Sequence, residues 1–166
     1  MIEETTEEPT DWDTAPLKQE QFGFDAAAVE DFLATSSHCF WARLAKDGRP
    51  IGTYGGCAYH DGELYLVSNV FRKAYAAIKR DPRITVVLSK HDIGQVTIIG
   101  RAEPIDDYEM VRRFFLRYAP KNSIVKSGQW TVDEFMAIAC TRNRRLIRVV
   151  RDRVLSLDMS KLSRSD

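Results

Sequence analysis

Leu64-Tyr65-Leu66-Val67-Ser68-Asn69-Val70-Phe71-Arg72-Lys73-Ala74, running on to Ile78-Lys79-Arg80-Asp81-Pro82-Arg83-Ile84, is the stretch that decides the fold. An apolar run ends in small polar residues, and the hydrophobic period then changes from strand-like to helical. Glu63 to Ser68 reads as a strand. Arg72 to Arg80 reads as a short helix with Ala74, Ala77 and Ile78 turned inward. Asp81-Pro82 stops it, because proline has no N–H and its ring clashes with the preceding turn. Arg72 and Lys73 fall in the first turn, where cations oppose the helix dipole. Free N–H groups at a helix start attract an anion. Arg72 can fork onto a phosphate, Lys73 can add a point charge, and Ser68 or Asn69 can donate further bonds. A solvated basic turn is the other reading of the same residues.

The segments upstream repeat a hairpin pattern. Cys39 to Leu44 is a strand, Lys46-Asp47-Gly48-Arg49 a turn, and Pro50 to about Tyr59 a second strand. His60-Asp61-Gly62 turns the chain into the strand at Glu63. Two successive hairpins indicate an antiparallel barrel or sandwich. Ahead of them, Asp25 is a candidate N-cap for a helix bearing Ala28, Val29, Phe32 and Leu33 on one face. Downstream, Ile84 to Leu88 is a β-branched strand and Gln95 to Glu103 a longer one, with Gly100 marking a bulge or a close backbone approach. Asp106 and Asp107 open a helix whose apolar face is Tyr108, Val111, Phe114, Phe115 and Tyr118. Thr131-Val132-Asp133-Glu134 has the form of a capping box, with Val132, Phe135, Met136 and Ala139 following at helical spacing. Two short strands are expected last, Leu146 to Val150 and Val154 to Leu157, split by Arg151-Asp152-Arg153.

The 166 residues suit one domain, and 44% hydrophobic with 29% charged residues is a globular composition. The divisions expected are an acidic tail over 1–24, a folded domain over 25–159 and a polar tail over 160–166. Net charge is zero, yet residues 1–20 carry seven acids against Lys18 alone, leaving the remainder at +6. A basic body suits an anionic ligand. Trp12, Phe22 and Phe24 point to packing by the later part of the tail. No apolar run reaches the length of a membrane span, and the acidic start lacks the form of a secretory signal, so a cytoplasmic protein is expected. Cys39, Cys57 and Cys140 are widely spaced among apolar or small neighbours and read as buried, inert thiols. His38, His60 and His91 have no metal-site spacing, and no metal is expected. Thr141-Arg142-Asn143-Arg144-Arg145, with Arg148, Arg151 and Arg153, lacks the interleaved aromatics or reading helix of a nucleic-acid surface. A partly paired strand face accounts for it; contact of Arg144 or Arg145 with an anionic ligand is the alternative. Trp41 and Trp130 read as core or interface residues.

Taken together, the strand ending in Ser68-Asn69, then Arg72-Lys73-Ala74 and Arg80-Asp81-Pro82-Arg83, resembles the signature of the pyridoxamine 5′-phosphate oxidase-like split barrels and the related flavin/deazaflavin oxidoreductases. Asp47-Gly48-Arg49-Pro50, Asp61-Gly62-Glu63-Leu64 and Gln95 to Glu103 fall in the family's order, and the resemblance covers roughly residues 26–158. It implies a mainly β (α+β) fold: a six-stranded antiparallel split β-barrel with flanking helices. It also implies a homodimer with cofactor clefts between subunits. Ser68, Asn69, Arg72 and Lys73 match phosphate-binding positions, and Gln95 matches a glutamine that reaches the cofactor ring from the partner subunit. Two departures separate the chain from the founding oxidases. The strand stretch Gly55-Gly56-Cys57-Ala58-Tyr59 holds no cation where the oxidases have a basic, aliphatic run, and no Arg-x-His element follows Arg142. Gly55 and Gly56 allow close approach to a flat ring.

The function implied is an oxidoreductase moving a hydride to or from a small organic molecule, with FMN as cofactor and F420 as the alternative. The chemistry then belongs to the cofactor, and no catalytic side chain is assigned. A non-catalytic flavin- or haem-binding protein on the same scaffold is the rival reading. Neither nucleic acid nor membrane is expected as a partner.

Overall fold

At Asn69 the chain leaves the sheet, and two turns of helix carry it across the end of a barrel. The structure is a computed structural model describing residues 19–162; the expectations for residues 1–18 and 163–166 lie outside them. The strands are β1 (His38–Leu44), β2 (Pro50–His60), β3 (Glu63–Asn69), β4 (Arg83–Lys90), β5 (Gly94–Ile105) and β6 (Arg144–Asp158). They close antiparallel into a barrel in the order β1-β2-β3-β6-β5-β4. Among the described residues five α-helices flank it: α1 (Ala26–Ala34), α2 (Lys73–Arg80), α3 (Tyr108–Tyr118), α4 (Ser123–Lys126) and α5 (Val132–Ala139). The six-stranded antiparallel barrel with flanking helices is thus the one the sequence implies. No helix among the described residues is long and apolar enough to cross a membrane.

Alternation along each strand builds two apolar clusters. Trp41, Leu64, Leu66, Val86, Leu88, Val96, Ile98 and Ile147 fill the barrel, with Phe32 and Leu33 of α1 packed on the same cluster. The opposite faces of β2, β3 and β6 offer Ala58, Tyr65, Val67 and Leu146 to Phe114 and Phe115 of α3 and Phe135 of α5. Burying each large apolar side chain contributes roughly 1.5–3 kcal/mol, so the second cluster holds the helical module firmly on the barrel wall. Among the described residues, no helical module like this one covers the outer faces of β1, β4 and β5. There Phe40 of β1 is 49% exposed, and Tyr54, which faces it from β2, is 70% exposed. Phe24, ahead of α1, packs on Phe32 with ring centroids 5.4 Å apart, and its N–H donates to Ser156. After β6, Met159–Lys161 forms a 3-10 turn capped by Asp158.

One expectation changes. The two short carboxy-terminal strands are a single strand of 15 residues. Ile99 pairs with Arg153 and Gly100 with Arg151, so Asp152 is the extra residue of a bulge and the ladder continues past it. Gly100 sits where the backbones close: a Cβ there would lie 2.0 Å from the Val150 carbonyl oxygen. The charged triplet that looks like a break in sequence is absorbed by the bulge. Helix α2 also begins one residue later than the pattern suggests, with Arg72 as its extended N-cap.

Candidate functional site

A cleft of about 330 Å3 runs along the outside of the barrel between β2 and the helical module. Its floor is Gly55 to Ala58 of β2. Phe114, Phe115 and Tyr118 of α3 and Phe135 and Ala139 of α5 form one wall, and Arg72 and Arg144 are the arginines among the described residues that line it. Tyr118 stacks on Phe114 at 6.0 Å and lies 6.2 Å from the Phe135 ring, so the aromatic wall is one packed unit.

Both arginines are set by their elements. Arg72 precedes the first residue of α2, and no side chain caps that helix start. Helix α2 is held from behind: the Tyr75 hydroxyl donates to Asp106, and Lys79 Nζ lies 3.2 Å from Asp106 Oδ2. The Tyr75 hydroxyl, and then Lys79, keep the Asp106 carboxyl below its ordinary range despite some desolvation. Burial, and then Asp106, push the Tyr75 phenol up. In the β3–β6 ladder Arg144 faces Asn69 and Arg145 faces Ser68. The two arginines then diverge. Arg144 Nε donates to the Ala139 carbonyl at 2.8 Å at the end of α5, which keeps it at the cleft. Arg145 Nε lies 3.4 Å from Asp106 Oδ1, and its Nη1 donates to the Arg142 and Arg144 carbonyls.

The electrostatics are one-sided. Among the described residues no aspartate or glutamate lines the cleft. Burial, and then the neighbouring Arg72 charge, lower the Arg144 pKa. Neither arginine pairs with a carboxylate among the described residues. Two guanidinium groups sharing a cleft without a counter-charge favour a bound anion, and a phosphate accepts their planar forks well. The glycines add room. A Cβ on Gly55 would meet nothing nearer than 4.0 Å, and one on Gly56 nothing nearer than 3.9 Å. Packing therefore does not demand glycine at either position, and the bare strand leaves a flat floor. A phosphate-bearing planar cofactor fits this set of residues.

Of the residues singled out in sequence, Arg72, Gly55 and Gly56 line the cleft. Ser68 is buried on the strand face it shares with Leu66, Asn69 is half-buried opposite Arg144, and Lys73 is exposed at the first residue of α2. Gln95 stands apart, exposed on β5, where its amide donates to Thr97 Oγ1 at 3.0 Å. Arg144 was weighed in sequence only as half of an undecided pair. The aromatic wall was read as helix faces, and its spacing gave no sign that the same rings border a cleft. Cys39 and Cys57 are buried, and contact with Cys57, then burial, pushes the Cys39 thiol far up.

The family model for pyridoxamine 5′-phosphate oxidase matches residues 26–138. Conserved hypothetical protein Rv2991 from Mycobacterium tuberculosis has a similar structure, with TM-score 0.70 and 24% identity over 88% of this chain and 92% of that one. A candidate pyridoxamine 5′-phosphate oxidase from Listeria innocua gives TM-score 0.62 at 15% identity, over 79% of this chain and 96% of that one. An F420 reductase gives TM-score 0.55 at 17% identity, over 75% of this chain and 94% of that one. At these identities the likenesses speak for the fold. No curated protein matches the chain in sequence.

Proposed function

We propose, for a chain that belongs to the pyridoxamine 5′-phosphate oxidase family, that it is an oxidoreductase using a bound flavin-type cofactor to move a hydride to or from a small organic molecule. FMN is the cofactor of first choice and F420 the alternative. When bound, the cofactor supplies the two-electron chemistry; the protein binds it, orients it and shapes what reaches it. The observation that carries the reading is the pair Arg72 and Arg144, lining one cleft with no carboxylate beside them among the described residues. Arg72 and Arg144 would hold the phosphate, with Lys73, Asn69 and Ser68 at the same end of β3 and α2. Gly55 and Gly56 would lie under the ring.

The working unit in this proposal is a homodimer in the cytoplasm, with each cleft closed by the partner subunit. The face of β1, β4 and β5, which no helix among the described residues covers, supports it. Phe40 faces Tyr54 and Val87 across the ladders, and Thr85 faces Ile99. A shallow concavity of about 450 Å3 lies on this face, where Ala42, Thr85 and Ile99 are bordered by Arg43, Arg83, Arg101 and Asp152. An exposed apolar surface of this kind is characteristic of a protein interface. Gln95 belongs to the same face, and a two-fold contact there would bring the glutamine of one subunit toward the cleft of the other.

The deciding experiment is a titration of the purified protein with FMN and with F420, followed by cofactor absorbance and fluorescence. Saturable binding of either at micromolar concentration, weakened by salt, is the expected result. A protein that binds neither has another function.

A further inference from the structure

Arg72 and Arg144 supply the fixed charge of the cleft, and His38 is the other basic side chain among the described residues that line it. Among the described residues no further arginine, no lysine and no carboxylate lines it. Its wall on the helical module is Phe114, Phe115, Tyr118 and Phe135. The family's founding substrate carries a phosphate of its own, but once a cofactor phosphate occupies the two arginines this wall offers no cation to a second anion. Burying an unpaired charge against such a wall costs several kcal/mol, whereas a flat apolar ring gains by stacking there. Ser37, His38, Asn122 and Ser123 line other parts of the cleft, and the aromatic wall itself carries one polar handle. The Tyr118 hydroxyl accepts from Asn122 Nδ2 at 3.4 Å, which leaves its own proton for another acceptor. Burial also raises the Tyr118 pKa, so the phenol keeps that proton.

We infer that the molecule reacting in this cleft is an uncharged, flat, largely apolar organic compound, seated against Phe114, Phe115, Tyr118 and Phe135 and accepting a hydrogen bond from the Tyr118 hydroxyl. The inference rests on the proposed redox function and names the substrate class of the same site. Tyr118 is its specificity-determining residue.

Three ring compounds of one size test it: 4-nitrotoluene, uncharged with an acceptor; 4-nitrobenzoate, its anionic counterpart; and p-xylene, without an acceptor. Binding is measured by ligand-observed NMR on cofactor-saturated wild type and on the cofactor-free R72A/R144Q variant. Glutamine at 144 keeps a donor for the Ala139 carbonyl. In both proteins 4-nitrotoluene is expected to bind at least tenfold more tightly than 4-nitrobenzoate. Tyr118→Phe keeps the ring packing and should weaken 4-nitrotoluene about fivefold, the worth of one ordinary hydrogen bond, while leaving p-xylene unchanged. Equal or tighter binding of 4-nitrobenzoate by R72A/R144Q overturns the inference, as does a Tyr118→Phe loss shared by p-xylene. A wild type that takes up neither cofactor removes the proposed redox function, while the R72A/R144Q measurements still judge the recess on its own.

Discussion

Helices α2 and α5 have the same length, eight residues, and border the same cleft region, yet they begin in opposite ways. At α5 the Thr131 hydroxyl accepts from the Glu134 N–H at 3.2 Å, and the Glu134 carboxylate accepts from the Thr131 N–H at 2.8 Å. The free N–H groups there are partly satisfied by the helix's own side chains. At α2 the N-cap is Arg72, no side chain caps it, and no acid stands in its first turn. A cation at a helix start is unfavourable on its own account. Helix α2 therefore relies on packing of Ala74, Tyr75 and Ile78 and on the Asp106 anchor, and its start remains available to an anion. One helix start is completed for stability; the other is left incomplete where a ligand would complete it.

The sharpest way to break this contrast is at the arginines. Arg72→Ala or Arg144→Gln should each weaken cofactor binding tenfold to a hundredfold, the range of a charge-assisted bond of roughly 1.5–3 kcal/mol, read by fluorescence titration. Unchanged affinity would place the phosphate elsewhere. Next in size is Thr131→Ala, which should cost about 1 kcal/mol in urea unfolding and leave cofactor affinity unaltered. A loss of affinity equal to that of Arg72→Ala would erase the distinction between the two helix starts. Arg72→Asp supplies the missing cap and favours the dipole, so the cofactor-free protein should gain roughly 0.5–1 kcal/mol while losing binding. A destabilised Arg72→Asp protein would show that the arginine serves the fold.

The smallest effect concerns pH. The Thr131 N–H, and then its hydroxyl, hold the Glu134 carboxyl below its ordinary range. A depressed carboxyl contributes stability above its unfolded value, roughly pH 4.3, and loses it as the pH falls through the folded value. Wild type should therefore lose slightly more stability between pH 6 and pH 3 than Glu134→Gln, by circular dichroism of urea unfolding. Identical slopes would mean that the carboxylate adds nothing to the cap.

Local signals in the chain were legible where a single segment carried its own physics. The Asp25 and Thr131 caps form, and of the two acids expected at the start of α3 Asp107 is its N-cap, because each is a contact within a few residues. The hairpins through Gly48 and Gly62 form too; both glycines adopt positive φ, as the turns require. Arg151-Asp152-Arg153 was misleading for the converse reason. A charged triplet looks like a loop, and only the partner strand β5, with Gly100 opposite the bulge, shows that the ladder runs through it. Arg144 and Arg145 were indistinguishable in sequence, since strand alternation separates neighbours without saying which face holds the ligand.

The amino-acid sequence by itself determined the class of fold, the change of period at Ser68 and the cationic start of α2, because alternation, capping and turn chemistry act over short distances. It also supplied the family resemblance through the order of its motifs. Only the tertiary structure decided that Arg144 joins Arg72 while Arg145 turns to Asp106, and that the inner face of α3 and α5 forms a cleft wall as well as a core. Those outcomes depend on the register of β3 with β6 and on the docking of a helical module about fifty residues downstream of β2. No local rule sets either one; they follow from which surfaces bury each other when the barrel closes.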